Sequence, residues 1–393
     1  MTPAAPAADQ SGDEARLELI EDVPRFLALR PEWEALFQRA ASPQQLFQSH
    51  VFLRHWAALY LGADARLSIV VAWRGGELAM AWPLLRQRRY GLDILRVMGA
   101  PVGQFSDILA ESDADALLRA GWNLVRQLGA DLFEARRLRA DSRLALSGLL
   151  ADARCGDRQQ APFADLARRV GESGPSTAYS ARERSNHRRR LRRLEERGDL
   201  AFKALSPGPD AARLARTAVA MKRATFARHG IVAPVIDDPR FGTFFEGLAL
   251  DSSGEISLDL AAITCDGLPV GIDLSLGCKG RSFGHILAVD PDQGRGGVGK
   301  ILIHHSFACA RARGHAIFDL LAPAEPYKLE HADGCVAVSD HLLPLSLKGR
   351  LACRLGLQHW RPALKTMARR LPPGVVRHAA RVLRERPARG EAP

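Results

Sequence analysis

The spacing of apolar positions changes several times along the chain, and each change marks an element. After a strand-like start at residues 17–20, residues 23–39 and 52–61 carry helical spacing that sets Trp33, Phe37 and Trp56 on apolar faces. Residues 67–73 and 78–85 predict a hairpin about the turn Arg74-Gly75-Gly76-Glu77. A strand over 105–110, a helix over 114–128 and a strand over 131–135 follow. The second half repeats this order. Helices over 211–228 and 241–249 precede strands over 258–264 and 270–276, which close a hairpin around Cys265-Asp266-Gly267-Leu268-Pro269. Strand, helix and strand then come again between 283 and 321. Recurrence at an offset of roughly 190 residues predicts a duplicated α/β domain. The expected division is a disordered N-terminus at 1–16, a first domain over 17–165, a second over 166–345, and a helical basic tail over 346–393.

The second copy holds the most chemistry. Residues 283–289 read as a buried strand, a glycine-rich turn follows, and Ile301, Leu302, Phe307 and Ala308 fit a helix that Gly314 ends. Residues 316–321 supply the next strand, which makes a right-handed crossover unit in a partly parallel sheet. Such a turn bares backbone N–H groups at a helix N-terminus, where a phosphate is well held. Gly294, Gly296 and Gly299 also satisfy GxGxxG, with Asp319 at a distance suited to a ribose. Against a dinucleotide stand the intervening Asp290-Pro291-Asp292-Gln293, too wide for a Rossmann turn, and the lack of further strand–helix units after Leu321. Tight backbone packing is the bland reading of the same glycines. In the first copy the equivalent loop is Leu109-Ala110-Glu111-Ser112-Asp113, which has no glycine and would repel a diphosphate. The second half is therefore expected to bind the phosphate-bearing ligand, and the first to shape an acceptor cleft.

Charge sharpens this picture. The net charge is +11, from 55 Lys and Arg against 44 Asp and Glu, and suits anionic partners. Eight arginines lie between Arg182 and Arg197, with Leu191 and Leu194 as a thin apolar edge, so this stretch reads as a helix. It is either an anion contact or a solvated linker. No aromatic residue interleaves with these arginines, so a stacking platform for nucleic acid is missing. The basic end offers a peripheral contact with an anionic membrane surface, against the plainer reading of a solvated tail. The start of the chain is acidic and rich in Ala and Pro, unlike a secretory signal, which predicts a cytoplasmic protein. Six scattered cysteines without a CxxC pair read as reduced packing residues, and adjacent His304 and His305 lack metal-ligand spacing; no metal is expected.

Four motifs carry a family resemblance: Ala81-Trp82-Pro83-Leu84 at a strand end, the SNHRRRLRRLEERG helix at 185–198, Val289-Asp290-Pro291, and FDLLAPAEPYK at 318–328. In these the chain resembles the GNAT-type acyl-CoA N-acyltransferase superfamily, most closely its BioF2-like branch with the CelD/BcsL-type proteins, similar in fold to the FemAB peptidyltransferases. Where the branch usually shows Ser-Pro-Gly before the cofactor helix, Gly297-Val298-Gly299 stands here. The resemblance implies two tandem GNAT-like domains, the first degenerate, each a mixed, largely antiparallel sheet with flanking helices and a splayed parallel pair at the cofactor site. It implies acetyl-CoA or another acyl-CoA as co-substrate. The acyl group would pass by direct attack to an amine, on a small molecule or a glycan, in envelope polysaccharide or cellulose biosynthesis. Backbone groups of Leu287 and Val289 would face the thioester, and Gly297, Val298, Gly299 and Lys300 the diphosphate. Glu325 or His285 would act as base and Tyr327 as acid for the thiolate, with Asp319 and Lys328 on the substrate. The alternatives are a FemAB-like transferase using aminoacyl-tRNA and a catalytically silent basic binding module.

Overall fold

The computed structural model describes residues 15–172, 174–251, 253–292 and 296–355. The expected disordered start, up to residue 14, and the basic tail beyond residue 355 lie outside them. The first half runs β1 (Arg16–Ile20), α1 (Val23–Ala28), α2 (Arg30–Ala40), α3 (His50–Tyr60), β2 (Ala65–Leu67), β3 (Ile69–Arg74) and β4 (Glu77–Trp82). It continues through β5 (Leu84–Arg89), β6 (Leu92–Val97), β7 (Leu109–Ala110), α4 (Asp115–Gln127), β8 (Leu132–Arg139), α5 (Arg143–Leu146) and β9 (Arg154–Asp165). A short link of α6 (Leu166–Arg169), β10 (Val170–Gly171) and β11 (Gly174–Pro175) leads to the second half. There α7 (Ala181–Glu195), β12 (Leu200–Leu205), α8 (Pro209–Arg228), α9 (Pro234–Asp237) and α10 (Pro239–Leu250) precede β13 (Ser257–Cys265) and β14 (Leu268–Cys278). The half closes with β15 (Arg281–Val289), α11 (Val298–Ala312), β16 (Ile317–Asp319), α12 (Pro326–Leu329), β17 (Gly334–Pro344) and α13 (Leu347–Arg354).

An 11-stranded mixed sheet spans both halves in the order β12-β13-β14-β15-β16-β9-β17-β8-β6-β5-β2. Its two parallel pairs, β15 with β16 and β6 with β8, lie on either side of a central β9–β17 pair. Each half thus lends its last strand to the other: β9 pairs with β16, and β17 pairs with β8. A second, four-stranded sheet, β1-β3-β4-β7, belongs to the first half. The α/β tandem architecture is that expected, with differences in detail. The expected 67–85 hairpin is cut at Ser68 and Pro83, so its ends join the long sheet and its middle the short one. Proline has no N–H for a ladder, which is why the returning strand changes sheet there. The 105–110 strand shrinks to Leu109–Ala110, and the parallel partner of β8 is instead Leu92–Val97.

One apolar core joins the halves. Phe52 of α3 meets Phe244 of α10 edge to face with ring centroids 5.0 Å apart, and both rings are fully buried. The small residues Ala211, Ala215 and Ala218 bring α8 close onto the sheet in the same cluster. On α11, Val298, Ile301 and Leu302 pack with Leu194 of α7 and Ile263 of β13. Among the described residues no helix is long and apolar enough to cross a membrane.

Candidate active site

The site begins with an irregularity in β15. Its register with β14 runs Ser275↔Gly284 and then Leu274↔Ile286, so His285 has no partner and bulges from the ladder. Gly284 makes room for this: a Cβ there would stand 2.8 Å from the Phe318 ring. β15 and β16 pair only at Arg281↔Ile317, Ser282↔Phe318 and Phe283↔Asp319. Beyond Phe283 this edge of β15 is open, because β16 ends at Asp319. The Asp290 N–H donates to Val270 O (3.0 Å), which fixes the hydrogen-bonding phase of the β14–β15 ladder. By that phase the N–H and C=O of Leu287 and Val289 turn away from β14, toward the open edge. α8 takes the two carbonyls, as Lys222 Nζ donates to Leu287 O (3.0 Å) and Thr225 Oγ1 to Val289 O (3.1 Å). The N–H groups of Leu287 and Val289 are left facing the gap.

At the end of β15 the chain enters α11 through Gly297, whose φ of 84° is natural to glycine alone. The N–H groups of Val298 and Gly299 lie in the first turn of the helix, where N–H groups have no partner within the helix. Lys300 differs from expectation: its N–H bonds Gly297 O (3.0 Å) and its ammonium pairs with Glu330. The arginine-rich helix α7, started by a Ser180–Glu183 capping box, lies over this turn because Leu191 and Leu194 dock beside Val298, Ile301 and Leu302. A Cβ at Gly297 would fall 2.6 Å from Cδ and 2.7 Å from Nε of Arg190, and one at Gly296 2.9 Å from Arg197 Nη2. Backbone N–H groups under two guanidinium-bearing side chains fit a diphosphate.

The remaining expected residues spread differently. Tyr327, with 36 % of its surface exposed, has its phenol pushed well above the ordinary value by burial of the rest and by the Glu325 carboxylate, so its hydroxyl keeps its proton. Lys328 is buried; its Nζ donates to Leu321 O (3.0 Å) and Pro323 O (3.1 Å), with Glu325 at 3.9 Å, so it anchors the loop. Burial brings that ammonium down to about 8. Lys222, also lowered by burial, feels the Glu325 carboxylate. The His285 ring packs on Phe47 (5.7 Å) and Phe245 (5.6 Å), and burial lowers it to about 4, leaving a neutral imidazole at pH 7. Asp319 is fully buried, held by Arg139 Nη1 (2.8 Å) and by the Leu321 N–H (3.0 Å). Its carboxylate ties β16 to β8 and offers no oxygen to a ligand. Lys222 and Thr225 were not anticipated, although a lysine and a threonine three apart in an alanine-rich helix are a legible signal. No group of His, Cys, Asp and Glu among the described residues is arranged to hold a metal ion.

Residues 181–329 match the family of the acetyltransferase (GNAT) domain. No curated protein sequence matches the chain. Among solved structures, FemX is similar over 82 % of this chain and 97 % of its own, at 12 % identity and a TM-score of 0.56. A conserved protein of unknown function from Bacteroides thetaiotaomicron is similar over 84 % and 100 %, at 11 % identity and 0.54. The C-terminal domain of a putative lysylphosphatidylglycerol synthetase from Agrobacterium fabrum covers 81 % and 92 %, at 13 % identity and 0.52. At such identities the three show the fold, and the domain match gives the class of chemistry. With the open edge of β15 and the glycine-headed helix inside the matched segment, residues 181–329 form an acetyltransferase (GNAT) domain, and the protein is an acyltransferase.

Proposed function

We propose that this protein is an acyl-CoA-dependent N-acyltransferase, moving an acetyl or similar acyl group to an amine in a ternary complex. In this reading the second half holds the donor and the first half shapes the acceptor cleft. The observation that carries it is the parted edge of β15, where the Leu287 and Val289 N–H groups face outward a few residues before the α11 head. Acyl-CoA supplies a thioester, an acyl group already activated for attack. Gly297, Val298 and Gly299 would receive the diphosphate, with Arg190 and Arg197 above it. An outward N–H of β15 would stabilise the oxygen as it becomes negative, an effect worth about 3 kcal/mol per donor in comparable sites. Lys222 holds the strand's carbonyl and so the direction of that N–H. The ammonium form of the acceptor must lose a proton, for which Glu325 and the neutral His285 are the candidates. Tyr327, protonated at any working pH, would donate to the leaving thiolate. An amine on a small molecule or a glycan, met in the cytoplasm in polysaccharide assembly, is the acceptor this family reading favours.

The test is calorimetry of the full chain with CoA and acetyl-CoA, for wild type and Gly299→Glu. A Cβ at Gly299 lies 3.5 Å from Val289 Cγ2, an ordinary contact, so the variant should fold. Its carboxylate beside the helix head should weaken binding at least about tenfold, one like charge a few ångströms away being worth more than 1.4 kcal/mol at an effective dielectric near 20. No binding of either ligand by the wild type would leave a silent module or a donor of another kind.

A further inference from the structure

Four arginines stand close together on β6 and β8, and three of them meet carboxylates. Arg96 pairs with Glu134 (2.7 Å), Arg136 with Glu134 (2.9 Å), and Arg139 with Asp141 and Asp319 (2.8 Å each). Arg137 does not: among the described residues no carboxylate oxygen comes within 4.0 Å of its guanidinium, although Asp340 and Asp157 are near enough to be felt. Among the described residues its guanidinium makes one hydrogen bond, from Nη1 to Gln104 Oε1 (2.6 Å). The backbone here is also special. The β8–β17 register steps from Leu138↔Ser339 to Ala135↔His341, so Arg136 and Arg137 together face the single Asp340. Arg137 has a φ of 50°, in the left-handed region, and its N–H is held by Asp340 Oδ1 (2.8 Å). A bulge that strains a non-glycine residue and re-aims its side chain is typical of functional sites. A largely buried cation with no carboxylate in contact is costly unless something anionic meets it.

The surroundings say where such an anion would sit. The charge of Arg137 reaches His285 and Lys328, on the walls of the gap between β15 and β16. Gln104, its partner, precedes Phe105, which packs on Phe47 (5.6 Å), and Phe47 in turn packs on His285. His285 Nε2 is shielded from solvent with no hydrogen-bond partner among the described residues. His285 lies four residues before Val289, about 13 Å along the strand, and it is the Leu287–Val289 end of β15 that the α11 head meets at Gly299. The diphosphate cradle is thus at one end of the opening and Arg137, from the other half of the chain, at the other.

The geometry points to Arg137 as an anion-binding residue for the acceptor: the amine that accepts the acyl group also carries a carboxylate, which the guanidinium, steadied by Gln104, receives beside His285. The anion site stands on its own geometry, whereas the word acceptor rests on the acyl-transfer reading above.

The test uses the full chain as wild type, Arg137→Met and Arg137→Gly, the last being natural to the left-handed backbone and so safe for folding. Acetate, glycine and L-glutamate at tens of millimolar should raise the melting temperature of the wild type by a few degrees and leave both variants unmoved, with CoA binding alike in all three. With acetyl-CoA as donor, amines bearing a carboxylate should exceed their amides at least about tenfold in kcat/KM, and the ratio should fall to near one in Arg137→Gly. Equal shifts in wild type and variants, or no shift of the wild type with any carboxylate, would overturn the site. A carboxylate effect that depends on Arg137 in a protein that does not bind CoA would keep the anion site and remove the acyl-CoA reading instead.

Discussion

Asp319 separates a substrate-binding role from a structural one. Its side chain and that of Arg139 are 0 % and 1 % exposed, and they join strands from the two halves at 2.8 Å. Burial pushes the Asp319 carboxyl up, against the pull of Arg139, the Leu321 N–H and Arg281, so the pair is a costly arrangement in which both members are needed. Asp319→Asn keeps the volume but has one oxygen for two donors, so either Arg139 Nη1 or the Leu321 N–H loses its acceptor. Stranding a buried charge costs about 3–5 kcal/mol. Arg139 keeps its two bonds to Asp141 (2.8 and 2.9 Å), which places the loss nearer that of one charge-assisted hydrogen bond, about 2–3 kcal/mol. At roughly 2 °C per kcal/mol for a chain of this size, the melting temperature should fall by about 5 °C. Scanning calorimetry reads this directly, and the surviving folded enzyme should keep its acceptor KM. Asp319→Leu with Arg139→Met should recover only part of the loss, since neither buried charge is stranded but the Leu321 N–H is left without its acceptor and Asp141 without its arginine. An unchanged melting temperature with a raised acceptor KM in Asp319→Asn would refute the reasoning and return Asp319 to the substrate.

Two other perturbations follow from the packing. His304 on α11 stacks edge to face with His187 of α7 (4.9 Å) and with His331 (5.1 Å), and burial lowers His304 to about 3 and His331 to about 4. The unfolded chain takes up protons near the ordinary histidine value while the folded chain refuses them, so stability is whole above pH 6.5 and is lost as pH falls toward 4. Melting temperatures from pH 7.5 to 5 should therefore drop less steeply in His304→Phe than in wild type; equal slopes would exclude the cluster. Because β9 lies between β16 and β17, a chain starting at residue 166 should show no cooperative melt alone and regain one when residues 1–165 are added; cooperative melting alone would count against the strand exchange.

The parts of this fold legible in sequence are those that carry their own signal. The β13–β14 hairpin alternates around a tight turn at Asp266-Gly267, both at positive φ. The strand, glycine turn and helix from β15 to α11 stand where apolar periodicity places them, and the arginine-rich helix is real. β9 and β17 carry no such signal: residues 154–158 of β9 are exposed and polar or small, and each strand exists because its partner comes from about 180 residues away. The site divides in the same way. A glycine turn at a helix head is local and could be read, but that Arg190 and not Arg189 covers Gly297 depends on how α7 docks. Lys328 and Asp319 sit in the most specific motif yet serve the loop and the sheet, because the motif preserves a turn as much as a chemistry. Arg137 was invisible, since neither its left-handed backbone nor the absence of a carboxylate in contact with it among the described residues leaves a mark in residue order.

On the acyl-transfer reading, the strand exchange gives the first half a role that does not depend on holding a diphosphate itself. At the head of α4, Glu111, Asp113 and Asp115 pair with Arg39, Arg74 and Arg143, so the place that corresponds to the donor cradle is closed by internal ion pairs. What the first half supplies lies instead beside the gap: Phe47 and Phe105 against His285, and Arg137 held by Gln104 and Asp340. Asp340 lies on β17, a strand of the second half that pairs with β8 of the first. The backbone that aims Arg137 is thus set by both halves at once, where the two last strands cross. On the acyl-transfer reading proposed above, that crossing makes the first half a wall of the site carried by the second.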